Sequence, residues 1–365
     1  MFKYNKQIAI TVLASSMMLL SGCGLFNTDQ ATKEIDPPQD VALTEGGKSL
    51  NTEGKSKSDA ESSSKDITGK EAEKTVASQL FLIDKSGFVV PYTMNLPKTE
   101  SIAKESLEYL VEGGPVSNML PNGFRAVLPE DTQVLGVNIK DGTATADFSK
   151  EFSKYKKEDE AKILQAITWT LTQFDSVKTV KIWVNGHEQT EMPVNSTPIP
   201  DGASRMDGIN HDSSEVVDIT NTQPLTVYYM AEADGQQYFV PVTKRIDNKD
   251  TDPIVSAVEE LVKGPALTSG LLNDFQDGVK LLSAPKYEDG KVTLDFNDAI
   301  YGSFDEKQKI ISSSVLQSLV LTLTEQQGID SVAITVNGKA DLINENGEKL
   351  TEPVTRPSKV NTGSF

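Results

Sequence analysis

Apolar and polar positions alternate regularly in two stretches of this chain and nowhere else. In the first stretch, residues 79–84 and 88–94 read as two short strands. The second of these places Phe88, Val90, Tyr92 and Met94 on the two-residue period of a half-buried strand. From about Ser101 to Glu112 the period changes to that of a helix, with Ile102, Leu107, Leu110 and Val111 on one side, and Gly113-Gly114-Pro115 supplies the stop. After an irregular loop through Pro121 and Gly123, Val134 to Ile139 and Thr143 to Phe148 flank Asp141-Gly142 and predict a hairpin. A long helix is predicted over about Glu158 to Gln173. A last strand follows from Val180 to Val184, ending in the turn Asn185-Gly186.

The second stretch repeats the first. Phe88-Val89-Val90-Pro91-Tyr92-Thr93 returns as Tyr238-Phe239-Val240-Pro241-Val242-Thr243. Leu110-Val111-Glu112-Gly113-Gly114-Pro115 returns, one glycine shorter, as Leu261-Val262-Lys263-Gly264-Pro265. Thr145-Ala146-Asp147-Phe148, Thr170-Leu171-Thr172 and Val184-Asn185-Gly186 return as Thr293-Leu294-Asp295-Phe296, Thr322-Leu323-Thr324 and Val336-Asn337-Gly338. The order is kept, and the period is too long for a solenoid unit, so each copy is a domain. The pattern β-β-α-β-β-α-β predicts an α+β fold, each copy a short mixed sheet with two helices on one face. The domains are expected at 79–192 and 224–347, with a linker at 193–223 and an irregular tail at 348–365.

The N-terminus carries a different pattern. Lys3 and Lys6 precede an apolar run from Ile8 to Leu20, long enough for a secretory signal and short for a membrane span. Leu20-Ser21-Gly22-Cys23 then looks like a bacterial lipobox. This predicts a signal peptide over residues 1–22, cleavage between Gly22 and Cys23, and an S-diacylglycerol and N-acyl group on Cys23, palmitate among them. Two or more acyl chains anchor a protein stably where one does not. From Asn27 to Gln79 there is no aromatic residue, and Ser, Lys, Glu and Gly dominate. Such a stretch buries too little apolar surface to offset its ordering entropy, so residues 23–78 are expected to be a disordered tether with a reach of roughly 40 Å.

Charge narrows the partners. The net charge is -18, and removal of Lys3 and Lys6 takes it two units further. Phosphate backbones and anionic lipid surfaces repel such a chain, so nucleic acid is not expected and membrane attachment falls to the lipid. The single cysteine excludes an intramolecular disulfide.

No catalytic constellation emerges. The two histidines are His187 and His211. His187-Glu188-Gln189-Thr190-Glu191 lacks the second histidine of a helical zinc motif and sits in a turn context, so neither a metal nor another cofactor is expected. Asp147 and Asp295 occupy equivalent strand ends, and the expected role is a local hydrogen-bond acceptor, against that of one half of an acid–base pair. Trp169 and Trp183 are expected in packing and not as a sugar platform, since the second copy has neither.

The duplication, the lipobox and the phrases quoted above resemble the GerMN-domain family of spore germination lipoproteins. The resemblance covers the chain from tether to second domain. It implies a role in spore formation and germination, and an extracytoplasmic place between mother cell and forespore membranes. GerMN domains are similar to ring-building domains of secretion systems and sporulation channels, which implies non-enzymatic scaffolding with envelope or sporulation-channel proteins, or self-association. The rival expectations are a spore cortex peptidoglycan hydrolase or its activator, and a germinant-binding sensor.

Overall fold

The computed structural model describes residues 75–212, 221–247, 252–302 and 309–362. The signal segment, Gly22, Cys23 and the tether up to residue 74 lie outside the described residues. Among the described residues no helix is long and apolar enough to cross a membrane.

The first repeat opens with an antiparallel hairpin of β1 (Thr75–Ile83) and β2 (Val89–Pro97), in register from Thr75 opposite Pro97 to Ile83 opposite Val89. A short helix α1 (Ile102–Glu108) leads to a mixed sheet of β3 (Val134–Lys140), β4 (Thr143–Phe148), β5 (Thr179–Val184) and β6 (His187–Glu188), in that spatial order. The β4 and β5 strands run parallel because helix α2 (Glu160–Leu171) connects them, while the other pairings are antiparallel. The second repeat follows the same plan. Its hairpin is β7 (Thr222–Ala233) and β8 (Gln236–Asp247), and its first helix is α3 (Pro253–Lys263). Its mixed sheet holds β9 (Lys286–Glu288), β10 (Lys291–Phe296), β11 (Ser331–Val336) and β12 (Val354–Thr355), with α4 (Ser313–Leu323) between β10 and β11. The chain is thus the tandem α+β fold expected, with the strands of each repeat divided between a hairpin and a four-stranded sheet.

That division explains the sequence of the long helices. Helix α2 packs against β1 on one side and β5 on the other, so Ala166 to Leu171 are buried without interruption. Helix α4 does the same between β7 and β11, and Ser318 to Leu323 are buried. A helix between two sheets must be apolar nearly all round, with threonines tolerated where they bond neighbouring backbone. Thr170 accepts from Phe81 N–H at 3.1 Å, and its counterpart Thr322 accepts from Tyr228 N–H at 2.9 Å. The hairpin turns are equally regular. Asp141-Gly142, Asp234-Gly235 and Asp289-Gly290 all hold both residues at positive φ, the requirement of the tight primed turn.

The structure differs from expectation in three places. Strand β1 starts at Thr75, ahead of residue 79. Helix α1 stops at Glu108 and not near Glu112, because the backbone beyond it pairs with a loop: Val127 and Leu128 N–H donate to Leu110 O, and Glu112 N–H donates to Leu128 O. The aromatic-free stretch after repeat 1 and the tail after repeat 2 are also packed where they are described. Met192, Ile199, Ala203 and Ile209 are buried, as is Val360. Small aliphatics and backbone hydrogen bonds order these stretches, so the lack of aromatics was no sign of an irregular chain. The buried side chains of both repeats join into one apolar core.

Candidate functional site

Among the described residues a dense polar arrangement lies where the two hairpins meet. Strands β2 and β8 approach through their open edges, each carrying a proline in the shared phrase, Pro91 and Pro241. Proline has no N–H, so the edges do not close a ladder with each other. Two asparagine side chains stand in for the missing strand. Val89 N–H donates to Asn210 Oδ1 at 2.8 Å, and Asn210 Nδ2 donates to Val89 O at 2.7 Å and Pro241 O at 2.8 Å. Phe239 N–H donates to Asn361 Oδ1 at 2.8 Å, and Asn361 Nδ2 donates to Phe239 O and Pro91 O, both at 2.8 Å. A primary amide presents an acceptor and a donor as a peptide group does, and asparagine tolerates the left-handed backbone found at both positions, φ 46° and 52°.

The residues before the asparagines extend the exchange. Thr243 N–H donates to Ile209 O at 2.8 Å, and Ile209 N–H donates to Thr243 Oγ1 at 2.8 Å. Thr93 N–H donates to Val360 O at 3.1 Å, and Val360 N–H donates to Thr93 Oγ1 at 2.9 Å. Each arm, 205–210 after repeat 1 and 356–361 after repeat 2, therefore reaches across to the other repeat.

The arms begin with arginines that converge on one carboxylate. Arg205 Nη1 donates to Glu325 Oε1 at 2.6 Å, and Arg356 Nη2 lies 3.1 Å from Glu325 Oε2. Tyr228 donates its hydroxyl to Glu325 Oε2 at 3.1 Å and accepts from Arg356 at 2.7 Å. Each arginine also donates to the end of its own repeat's long helix, Arg205 to Thr172 Oγ1 at 3.0 Å and Arg356 to Thr324 Oγ1 at 3.1 Å. Burial alone would raise the Glu325 carboxyl, but the two guanidinium charges hold it below the usual carboxylate range. Burial pushes the Tyr228 hydroxyl up to about 12. A further cross-repeat bond runs from the Tyr238 hydroxyl to Asp84 Oδ2 at 2.9 Å, with burial raising the Asp84 carboxyl.

The residues singled out by the sequence lie elsewhere. Asp147 Oδ1 accepts from Gly186 N–H at 3.0 Å, and Asp295 Oδ1 accepts from Gly338 N–H at 2.8 Å and from the Thr335 hydroxyl at 2.9 Å. Both carboxylates pin the Asn-Gly turns after β5 and β11. His187 is exposed on β6, and His211 is exposed too, with desolvation first and the Arg245 charge second pulling it below the usual histidine value. No group of three metal-binding side chains occurs among the described residues. Trp169 is in the core, 5.5 Å from Phe81 between ring centroids, and donates its indole N–H to Gly208 O at 3.3 Å. Glycine is required at 208: φ is +80°, and a Cβ there would stand 2.7 Å from His211 and 2.8 Å from Thr243. Trp183 lies in β5 beside Asp147 in register.

One groove is open. Val255, Val258 and Val262 of α3 face Val279, Leu281 and Leu282 across a volume of about 570 Å³, with Lys263 and Lys280 at its rim. In repeat 1 the loop Ala126-Val127-Leu128 is buried instead.

The joint lies outside the phrases that mark the two repeats. Its signal is a further repeat, Arg205-Met206-Asp207-Gly208-Ile209-Asn210 against Arg356-Pro357-Ser358-Lys359-Val360-Asn361, in which arginine, a branched aliphatic and asparagine keep their spacing. The family model for sporulation and spore germination, Germane, matches residues 79–190 and 226–341. The spore germination protein GerM of Bacillus subtilis (strain 168) is 59% identical over 368 residues, covering 100% of both chains. The solved tandem GerMN domains of the sporulation protein GerM from Bacillus subtilis match with a TM-score of 0.75 at 61% identity, over 80% of this chain and 100% of that one. Two GerMN domains locked edge to edge, with both halves matched, make this chain a member of the Germane family of sporulation and spore germination proteins.

Proposed function

We propose that the protein is a non-enzymatic docking component of the sporulating cell envelope, held by lipid on Cys23 to the extracytoplasmic face of a membrane between mother cell and forespore. The observation that carries this reading is the joint. The most elaborate set of polar side chains is spent on fixing two domains relative to each other, and the repeated carboxylates Asp147 and Asp295 are spent on turns. A component that presents two rigidly related surfaces suits a scaffold. Lipid sets the membrane, the tether sets reach, and envelope proteins of the sporulation channel are the partners.

Crosslinking and capture of the membrane-bound protein from sporulating cells tests the role, with envelope proteins recovered as the expected result. Recovery of none, or muropeptide release from cortex by the purified domains, sinks it. Cys23→Ser is expected to leave the protein folded and release it from the membrane; retention in the membrane fraction would refute the anchor. A second reading, binding of a small apolar germinant, is favoured by the groove beside α3 alone. A thermal shift by germinants that disappears in Val258→Trp would support it.

A further inference from the structure

The joint between the repeats is built like the contact between two subunits. Three hydrogen bonds across the joint on one side, Asn210 to Pro241 and two between Ile209 and Thr243, have three counterparts on the other, Asn361 to Pro91 and two between Val360 and Thr93. None of them requires the two repeats to belong to one chain. The covalent connection is residues 213–221 alone. We propose that the hairpin edge is a pairing surface for a second copy of this chain, in which repeat 1 of one molecule closes the same joint with repeat 2 of another, giving exchanged dimers.

Glu325 decides which repeats pair. In repeat 1 the aligned position is Gln173, whose amide is already tied to Gln79 N–H at 2.8 Å and Gln79 O at 2.9 Å. A pair of two first repeats would bring together two Arg205 side chains with no carboxylate between them, which like-charge repulsion disfavours. The mixed pair supplies one acid to two arginines. A two-chain exchange that closed a 2–2 joint would leave the two first repeats to pair with each other, so an exchange that closes both joints keeps the 1–2 pairing. The exchange stands whether or not the protein docks anything else.

The connection controls where the joint closes. Asp212 N–H bonds Thr243 O on one side of β8, and Leu225 pairs with Lys244 on the other. Two strand spacings plus the three residues back to Thr222 put Asp212 and Thr222 roughly 14 Å apart. Nine residues cover that span easily and favour closure within one chain, at a local concentration on the order of millimolar. Deleting 213–220 leaves Asn221, with a reach of about 7 Å. The same joint can then close only between chains.

Residues 24–365 contain no cysteine and no signal segment, and suit the test. With 213–220 deleted, light scattering should show a dimer with the near-UV circular dichroism of the parent chain. A folded monomer overturns the proposal. Should the deleted chain fail to fold, the intact chain is refolded from denaturant at about 1 mM, equal to the local concentration within one chain, and at about 1 μM, far below it. A dimer formed only at the higher concentration and persisting on dilution supports exchange, and monomer at both overturns it. In the deleted chain, Glu325→Gln should raise the dimer dissociation constant at least about tenfold, the scale of one charged hydrogen bond. An unchanged constant removes Glu325 from the account.

Discussion

The two repeats share their elements but differ in what covers the first helix. In repeat 1, α1 ends at Glu108, and the loop through Ala126, Val127 and Leu128 pairs with the backbone beyond it and fills its flank. In repeat 2, α3 runs to Lys263 with a full set of end signals. Asp252 caps Ile254 N–H at 2.9 Å, Pro253 opens the helix and Gly264 closes it at φ 82°. Both loops pair with their hairpins, Arg125 with Ile83 and Leu272 with Met230, but only the repeat 1 loop also pairs with the backbone after its first helix, and the flank of α3 is left as an apolar groove. One added pairing, Leu128 with Val111, thus goes with a covered helix flank, with the element order unchanged.

Side-chain truncation on the two flanks should expose this difference most strongly. Leu128→Ala, at a residue 1% exposed, should cost about 2–5 kcal/mol in urea unfolding. Leu282→Ala, at a residue 45% exposed, should stay within about 0.5 kcal/mol. Comparable losses would mean that the groove is closed in solution. The joint should behave in the opposite way, with the repeats equal. Asn210→Ala and Asn361→Ala each orphan Val89 or Phe239 backbone groups and should each cost about 1–3 kcal/mol. Unequal losses beyond about 0.5 kcal/mol would break the equivalence of the arms.

Acid should sharpen the asymmetry that Glu325 introduces. Its folded carboxyl lies below the unfolded value of about 4.3, so its contribution is present above that value and lost as pH falls through the folded one. Lowering pH from about 7 to about 3.5 should reduce the melting temperature less in Glu325→Gln than in the parent. Parallel curves would place the effect elsewhere. A smaller effect than at the joint belongs to the turn carboxylates. Asp295→Ala loses two bonds and Asp147→Ala one, so the first should cost more, with both near about 1 kcal/mol and neither altering any partner binding.

Much of this was legible in the chain. Alternation at Phe88 to Met94, helical spacing at Ile254 to Val262 and the Asp-Gly and Asn-Gly pairs located the hairpins, α3 and the turns, because those patterns depend on local physics. The end of α1 was hidden, because a distant loop, and not the Gly113-Gly114-Pro115 stop, takes the backbone at Leu110. The joint was hidden for a different reason. Its arms carry few large apolar residues, so a reading based on hydrophobic content passes over Asn210 and Asn361, whose value comes from amide geometry. Asp147 and Asp295 stood out as repeated acids, and their repetition reflects a repeated turn.

The paired prolines have one more effect. A sheet edge that ends in free N–H and C=O groups can recruit strand after strand, which is how fibres begin. At Pro91 and Pro241 the donor is missing, and the neighbouring groups on both edges are taken by amide side chains that have no next strand to offer. Contact between hairpins stops at two. At high local concentration such molecules can meet without seeding aggregation.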